Sequence, residues 1–332
     1  MKTINKIIII LSLIINTPVL SNDSLFNNWL ITFKEKAQQR GISNETINKV
    51  MSEVKFIPKV IEYDRFQPEF YEDTKTYILK RTSNTKVKKG TKLYLNNKLI
   101  IDTIDKKFSV EKDLLLALMG IETNFGTYMG KMDIISSLAT LSFDKRRSDF
   151  FTNELITILE LIDKEIIDYK TLYGSWAGAF GNFQFMPTTI KRYALDYNSD
   201  YKIDLKNLED SFASAANYIH KIGWSKNAPC YIKIDLLKNI PNKYLNTSAK
   251  KIHSKKKIRE FRKYIKNYEN LNIIDDPTVA IITPDIDIIP DAKTLEPAYL
   301  IFNNYELILK WNRSLRFALA VCKLKNKFKN EL

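Results

Sequence analysis

The most constraining feature of the sequence is an apolar stretch with helical spacing between residues 111 and 122. Leu114, Leu115, Leu118 and Ile121 recur at intervals of three and four, which places them on one face of an α-helix. Other elements must cover such a face, so it predicts the centre of a packed core. The chain can supply that cover, since 45% of its 332 residues are hydrophobic.

Glu122 shares this apolar face. It lies four residues after Leu118 and seven after Leu115, and the following Asn124 and Gly126 favour the end of the helix. Desolvation on an apolar face favours a protonated carboxyl group. A carboxylic acid held protonated near neutral pH is what glycoside cleavage requires of its general acid. A glutamate that points into solvent at a frayed helix end would fit the same pattern.

Further segments with helical spacing predict a chain that is mainly helical. Leu25, Trp29, Phe33 and Ala37 recur at intervals of four, which is typical of a helix. Gly223 predicts the end of a later helix, because glycine adopts the left-handed cap without steric cost. Helices are also expected over Asp149–Tyr169, Thr188–Tyr197, Ser211–Lys221 and Ser314–Leu324.

The character of the sequence changes after Trp224. From Cys230 to Ile240, β-branched residues cluster before a proline, which indicates a strand. Two further strands, Thr278–Thr283 and Asp285–Ile289, are predicted on either side of Pro284. A mainly helical chain with a small β-containing part late in the sequence has an α+β fold.

The first 21 residues have the three-part layout of a secretory signal. Lys2 and Lys6 precede the apolar run Ile7–Ile15, and the small residues Val19 and Ser21 follow near the expected cleavage site. The run is well short of the ~20 residues that span a bilayer, although an uncleaved N-terminal anchor would look similar. Because no cysteine lies near the cleavage site, we do not expect a lipoprotein. We expect the mature chain in the periplasm or elsewhere in the cell envelope.

The chain carries a net charge of +14, of which two lysine charges belong to the first 21 residues. Such a field attracts polyanions. An exported protein meets the cell wall and membrane surface, and no motif supports a nucleic-acid partner. A lysine-rich solvated surface would have the same composition.

The basic tract Lys250–Lys266 leaves the same two alternatives open. Because Ile258, Phe261, Ile265 and Tyr268 share one helical face, we favour a solvated helix with one packed face. The alternative is a surface helix that binds an anionic polymer or a membrane.

Cysteine and histidine are too scarce for most metal or thiol chemistry. The sequence contains only two cysteines, Cys230 and Cys322, and two histidines, His220 and His253. None of them lies in a cluster of potential metal ligands in the sequence. This argues against a catalytic zinc ion and against a Cys–His nucleophile pair. Export would permit a disulfide between the two cysteines, and two buried free thiols fit equally well.

Several short motifs follow one another in a fixed order around and after Glu122. They are Gly120–Gly126 (GIETNFG), Ser137–Phe143 (SLATLSF), Arg146-Arg147, Gly174–Gly181 (GSWAGAFG), Gln184–Pro187 (QFMP), Asn217-Tyr218, Gly223-Trp224 and Asn312–Ser314, with Tyr77 and Gly90 upstream. In order and spacing they resemble the membrane-bound lytic murein transglycosylase B family. The resemblance covers nearly all of the mature chain.

The resemblance implies a lysozyme-like core with a deep groove. We expect a signal peptide at 1–21, a helical lobe at about 22–110, the core at about 111–224 and 305–332, and a β-containing lobe at about 225–304. It also implies that the partner is the glycan strand of peptidoglycan and that no cofactor is required.

The resemblance further implies cleavage of the β-1,4 bond between N-acetylmuramic acid and N-acetylglucosamine without water. Glu122 would protonate the leaving oxygen and then take the proton of the sugar's own C6 hydroxyl, leaving a 1,6-anhydro ring. Hydrolases normally need two carboxylates. The next acids, Asp133 and Asp144, match no catalytic position of the family. A second carboxylate close to Glu122 in space would indicate a hydrolytic muramidase, and loss of activity would indicate an inert peptidoglycan-binding protein.

By resemblance, polar and aromatic side chains line the groove, where they suit sugar hydroxyls, acetamido groups and ring faces. The expected residues are Tyr77, Ser175, Gln184, Tyr218 and Asn312. Arg146 and Arg147 would meet carboxylates of the lactyl group or the stem peptide. Trp311 stands where the family usually has tyrosine. The aromatic ring is kept and the hydroxyl is lost, so we expect one donor near the reacting sugar to be missing.

A second group of residues places oxygen atoms at alternate positions of a short loop, as in an EF-hand calcium site. Its members are Asp196, Asn198, Asp200, Lys202 and Asp210, with Lys202 contributing its backbone carbonyl. By resemblance this is a structural calcium loop, longer than the usual one, with Asp210 as its distal carboxylate. Tyr201 occupies the place of the glycine that normally makes the sharp turn, which lowers the expected affinity. An acidic turn without metal is the alternative.

Overall fold

The structure is a computed structural model that describes residues 22–66, 72–271, 273, 275–286 and 295–332. The predicted signal peptide lies outside the described residues, as do the last three residues of the strand predicted after Pro284. Among the described helices, none combines the length and the apolar character that crossing a membrane requires.

The described residues form thirteen α-helices and seven short strands. The helices are α1 (Asn22–Gln39), α2 (Asn44–Met51), α3 (Pro58–Arg65), α4 (Thr74–Arg81), α5 (Asn84–Asn96), α6 (Lys98–Phe108), α7 (Lys112–Thr123), α8 (Ile134–Phe143), α9 (Ser148–Asp163), α10 (Pro187–Tyr193), α11 (Leu208–Lys221), α12 (Asn303–Trp311) and α13 (Leu315–Glu331). The strands are β1 (Met132–Asp133), β2 (Tyr173–Gly174), β3 (Tyr231–Ile234), β4 (Leu245–Asn246), β5 (Lys256–Lys257), β6 (Thr278–Ile282) and β7 (Ala298–Ile301).

Helix α7 lies within the larger hydrophobic core. Every residue from Leu114 to Met119 is buried, so the helix is covered on all sides and not only along one stripe. Helix α13 packs along α7, and α4 and α5 pack against α13. The helix predicted after Glu111 is confirmed. Its complete burial holds the C-terminal end, which carries Glu122, in one place.

Six helices, α1 to α6, precede α7, and the sequence pattern identified only the first as a separate element. Three of the short ones begin with a polar cap. Ser43, Asp73 and Ser83 accept a hydrogen bond from the backbone N–H three residues later. Farther along the chain, the hydroxyls of Ser136 and Thr140 on α8 accept hydrogen bonds from two backbone amides of the loop before α3. These bonds hold the N-terminal helices against the core.

The late β-containing part is a sheet with strand order β3-β7-β6-β4, and β5 lies beside β6. Strands β3, β7 and β6 run antiparallel, whereas β4 and β6 run parallel. Val279 and Ile281 face a smaller core within this part, and Ala280 and Ile282 face the larger helical core. Because both faces of β6 are buried, its sequence is a continuous apolar run.

The strand predicted from Asp285 is wrong over its described residues. Pro284, Asp285 and Ile286 form a turn. The buried carboxylate of Asp285 accepts hydrogen bonds from the backbone N–H and hydroxyl of Thr74 and from the guanidinium of Arg316. Burying a carboxylate requires such donors, and a strand pattern carries no information about residues 211 positions away.

Two helices end earlier than predicted. Helix α9 ends at Asp163 and not at Tyr169, and α10 ends at Tyr193 and not at Tyr197. Shortly after α10, a backbone amide donates to the hydroxyl of Ser214 on α11. Tertiary hydrogen bonds thus replace the intrahelical ones that the pattern predicted.

The basic tract contains a 3₁₀ helix, Ile258–Tyr264, and not an α-helix. Ile258, Phe261 and Ile265 are buried, and Tyr268 is half-buried, which confirms one packed face. The outer side of the tract borders a surface cavity of about 790 Å³. Binding of an anionic polymer or membrane at this surface stays a prediction.

Candidate active site

Three consecutive residues with left-handed backbone form the end of α7. Asn124, Phe125 and Gly126 have φ angles of 49°, 58° and 76°. The N–H of Phe125 donates to the carbonyl of Met119, which closes the last turn. The predicted helix end is confirmed, and Glu122 lies half-buried in that last turn.

Two glycines allow this end of α7 to pack closely against its neighbours. A Cβ atom at Gly120 would lie 2.8 Å from Cζ of Phe125, and one at Gly90 would lie 2.3 Å from Cζ of Phe328. The two phenylalanine rings pack edge to face with centroids 6.2 Å apart. Helices α5, α7 and α13 therefore meet at the end of α7 that carries Glu122.

Two lysines of α5 bind the open carbonyl groups at this helix end. Lys86 donates to the carbonyl of Gly120, and Lys89 donates to the carbonyl of Asn124 at 2.8 Å and to the hydroxyl of Thr127. Cations stabilise the C-terminal end of a helix dipole. Burial lowers the pKa of Lys86 below its usual 10.5, and repulsion from Lys89 lowers it further. Neither lysine was predicted as a site residue, because no local sequence pattern links them to α7.

The carboxylate of Glu122 accepts a hydrogen bond from Trp311, the last residue of α12. The indole Nε1 donates to Oε1 over 2.9 Å. We expected a missing donor at this position, because tryptophan lacks the tyrosine hydroxyl. That expectation was incomplete, since the indole N–H is a donor, and it is directed at the carboxylate.

Trp311 belongs to an aromatic stack that joins α10, α11 and α12. Its ring stacks on Tyr218 with centroids 5.1 Å apart, and Tyr218 stacks on Tyr193 at 4.4 Å. Phe185 packs edge-on against Trp311 at 5.2 Å. The hydroxyl of Tyr218 donates to the carbonyl of Lys310, and burial raises the pKa of Tyr218 to about 12. Tyr193 and Phe185 were missed as site residues, because they reach Glu122 only through this stack.

Ser175 and Gln184 lie in the segment between β2 and α10, and both are half-buried. The hydroxyl of Ser175 accepts from the N–H of Ala179. The Nε2 group of Gln184 donates to the carbonyls of Gly181 and Met129. No described residue donates to Oε1 of Gln184. Ser175 thus keeps a hydroxyl proton and Gln184 keeps an acceptor oxygen for a ligand.

Asn312 and Tyr77 differ in what they offer to a ligand. Asn312 directly follows Trp311 and is half-buried. Tyr77 is only 1% exposed, and the guanidinium of Arg81 lies 3.5 Å from its ring centroid. As folded, Tyr77 has no open ring face for a sugar, contrary to our expectation.

Arg146 and Arg147 both bind the buried carboxylate of Asp64 on α3. Nε of Arg146 lies 2.7 Å from one carboxylate oxygen, and a terminal nitrogen of Arg147 lies 2.6 Å from the other. Their side chains remain 45% and 40% exposed. The structure therefore gives both arginines a structural partner in Asp64.

The two acids that follow Glu122 in sequence have other partners. Asp133 caps α8 by accepting from the N–H of Ser136. Asp144 pairs with Arg65 at 2.9 Å. Each carboxylate thus has a local structural role.

Both cysteines are free and buried in this structure. Burial raises the pKa of the Cys322 thiol, and a hydrogen bond with Cys230 contributes. The thiols are therefore neighbours in a dry environment and not exposed nucleophiles.

The oxygens of the predicted calcium loop bond to backbone amides of the loop itself. Asp196 accepts from the amides of residues 200 and 201, and the buried Asp210 accepts from those of residues 197, 198 and 204. Tyr201 adopts a φ of 69°, the conformation that glycine favours. Across the described ranges, no group of three or more His, Cys, Asp or Glu side chains is arranged to hold a metal. Calcium binding by this loop, which would also use Asn198 and the carbonyl of Lys202, stays a prediction.

The sequence profile described as the transglycosylase SLT domain matches residues 25–326, so the chain belongs to this family. Over 120 residues it is 42% identical to the membrane-bound lytic murein transglycosylase B of Escherichia coli (strain K12). That match covers 36% of this chain and 33% of the relative, so the chain spans about a third of the length of this relative.

Solved structures share the fold. SltB3 from Pseudomonas aeruginosa, in complex with NAG-anhNAM-pentapeptide, superimposes with a TM-score of 0.80 at 29% identity, covering 92% of this chain and 79% of that one. The Escherichia coli lytic transglycosylase Slt35, in complex with calcium, gives 0.74 at 23% identity, covering 93% and 94%. The mainly helical α+β fold with a lysozyme-like core is thereby confirmed.

Proposed function

We propose that this protein is a peptidoglycan lytic transglycosylase. It cleaves the β-1,4 bond between N-acetylmuramic acid and N-acetylglucosamine and leaves 1,6-anhydro-N-acetylmuramic acid ends. The observation that carries the proposal is Glu122, which lies half-buried at the end of α7 and is hydrogen-bonded by the indole of Trp311. Family membership over residues 25–326 supports the same assignment.

Glu122 acts first as an acid and then as a base. Its proton goes to the glycosidic oxygen while the bond from C1 of the muramic acid to that oxygen breaks. The carboxylate then removes the proton of the C6 hydroxyl of the same sugar, and O6 forms a new bond to C1. No water is consumed. The attacking hydroxyl is already attached to the sugar, and well-oriented intramolecular attack reaches effective concentrations of about 10⁵ M or more.

The side chains that the resemblance assigns to the groove suit a disaccharide substrate. The hydroxyl of Ser175, the free Oε1 of Gln184 and the amide of Asn312 can bond acetamido and hydroxyl groups. The ring of Tyr218 stacks on both Trp311 and Tyr193, so its edge and its hydroxyl are the parts that can contact a sugar. We assign these four residues to substrate binding. Tyr77 would join them only if its ring became uncovered.

Arg146 and Arg147 are proposed to contact carboxylates of the lactyl group or stem peptide with their exposed edges. Each guanidinium has five N–H donors and uses only some of them on Asp64. A role in substrate binding therefore requires no break of the pair with Asp64.

We place the mature protein in the bacterial envelope, where its substrate occurs. The sequence pattern of the first 21 residues and the positive charge support this location. The glycan strand is the proposed partner. A structural calcium ion is not needed for the reaction as written.

A hydrolytic muramidase on the same fold is the rival enzyme, and an inert wall-binding protein is the rival of another class. Digestion of purified peptidoglycan in ¹⁸O-labelled water separates all three. We expect unlabelled muropeptides that are lighter by one water than the hydrolysis products. Label at new muramic acid ends would establish the hydrolase, and the absence of products would leave only a binding function.

A further inference from the structure

We propose that Trp311 is a positioning residue that orients the carboxyl group of Glu122 and stabilises its charged form. The inference rests on the proposed function, because it concerns the acid and base of that reaction. It starts from one contact, the hydrogen bond of 2.9 Å from Nε1 of Trp311 to Oε1 of Glu122. The two residues are 189 positions apart in the chain.

The indole group can only donate. Its N–H has no lone pair available to accept a proton, whereas a tyrosine hydroxyl donates and accepts. Oε1 of Glu122 must therefore serve as an acceptor towards Trp311 in both protonation states. This contact favours the acidic proton on Oε2, because a protonated oxygen is the weaker acceptor.

The direction of the indole N–H is held by the aromatic stack. Tyr218 lies nearly parallel to the indole, with an interplanar angle of 17°. Phe185 and Phe183 meet its ring edge-on at 67° and 70°. The donor cannot rotate without disturbing these contacts. A donor with a fixed direction stabilises charge without reorganisation, which is how preorganised sites lower a barrier.

The hydrogen bond favours the carboxylate over the acid, because an N–H donor stabilises the charged form. Lys86 and Lys89 of α5 bind backbone carbonyls at this helix end. Tyr218 of α11 faces the indole and stays neutral. A replacement of Trp311 that keeps the two-ring shape keeps the stacking on Tyr218, so its effect on proton transfer can be assigned to the lost N–H.

The test is the pH profile of kcat/KM on soluble glycan oligomers. Trp311→Phe keeps an aromatic ring and removes the donor. Replacement of Trp311 by 3-benzothienylalanine keeps the two-ring shape with sulfur in place of N–H. Tyr218→Phe is the matched control, since it removes a hydroxyl from the same stack without touching the bond to Glu122.

We expect both changes at Trp311 to lower kcat/KM by about 10- to 100-fold, the usual effect of losing a hydrogen bond to a charged group. The alkaline limb should also move to higher pH by about one unit, because Glu122 then holds its proton longer. Tyr218→Phe should leave the limb in place.

An unchanged alkaline limb in the benzothienylalanine protein would overturn the inference, whatever the loss of rate, because this replacement keeps the shape of the side chain and removes only the donor. If the wild-type protein releases no product from the oligomers, the proposed function fails and not only the role of Trp311. An active wild type with an inactive Glu122→Gln variant keeps the two questions separate.

Discussion

The hydroxyl of Thr123 donates a hydrogen bond to the backbone carbonyl of Asn182 over 2.8 Å. The same hydroxyl accepts from the N–H of Gly126 at 3.0 Å. Thr123 is fully buried and directly follows Glu122. One hydroxyl thus joins the end of α7 to the turn that carries Gln184, so the proposed acid and a proposed substrate-binding residue share one support.

Thr123→Val should test that support, because valine keeps the shape and removes the hydroxyl. The carbonyl of Asn182 and the N–H of Gly126 would lose their partner, which costs about 1–3 kcal/mol when such groups are buried. We expect a lower free energy of unfolding in urea and a lower kcat. Thr103→Val is the control, since that exposed hydroxyl bonds only to a carbonyl of its own helix. Equal stability of both variants would contradict the supporting role.

Glu122→Gln should remove the proton donor and leave the fold intact. The amide cannot deliver a proton, and loss of a general acid typically lowers turnover about a hundredfold or more. Release of muropeptides from purified peptidoglycan measures this. Asp144→Asn is the matched control, because it changes a carboxylate that pairs with Arg65. Near-normal turnover by the Glu122→Gln variant would show that the acid lies elsewhere.

Calcium should have little effect on stability. The loop oxygens of Asp196 and Asp210 already accept backbone hydrogen bonds, and Tyr201 replaces the expected glycine. A ligand that binds only the folded state raises the melting temperature. We therefore expect no shift in Tm at millimolar calcium relative to chelator. A large shift that EDTA reverses would mean that the loop rearranges to form a site.

Asp102 should stabilise the protein in a pH-dependent way. Burial alone would raise the pKa of Asp102, but hydrogen bonds from Lys112, Lys98 and Tyr94 outweigh burial and lower it to about 2. The folded pKa lies below the usual 3.8, so the stabilisation is present above about pH 4 and is lost as pH falls towards 2. Because the group is about one-third exposed, we expect Asp102→Asn to cost only about 1 kcal/mol at pH 7.

Urea unfolding of both proteins across this pH range measures the difference. The difference in the free energy of unfolding between the wild type and Asp102→Asn should become steadily smaller as the pH falls from 4 towards 2. Asp23→Asn, at an exposed position of α1, controls for the general effect of removing a negative charge. A difference that stays constant with pH would show that Asp102 acts through packing and not through its charge.

The sequence predicted the elements whose determinants are local. The apolar face of α7 and the left-handed end at Asn124 and Gly126 depend on residues within two helical turns, and both were found. Gly223, with a φ of 98°, ended its helix as expected. The five short helices α2 to α6 were not resolved individually, because each is only two to four turns long and shows little periodic pattern.

The motifs determined the family, the candidate acid and most of the residues that we assign to the substrate. What surrounds the acid was decided only by tertiary structure. Arg146 and Arg147 meet Asp64 across about 80 residues, and Trp311 meets Glu122 across 189. Such contacts depend on how separate helices pack. The direction of a side chain across a helix interface produces no periodic pattern in the sequence, so it cannot be predicted from one. The chemistry of Glu122 is therefore predicted by its own motif, whereas the donor that holds its carboxylate is set by the packing of α12 against α13, which lies along α7.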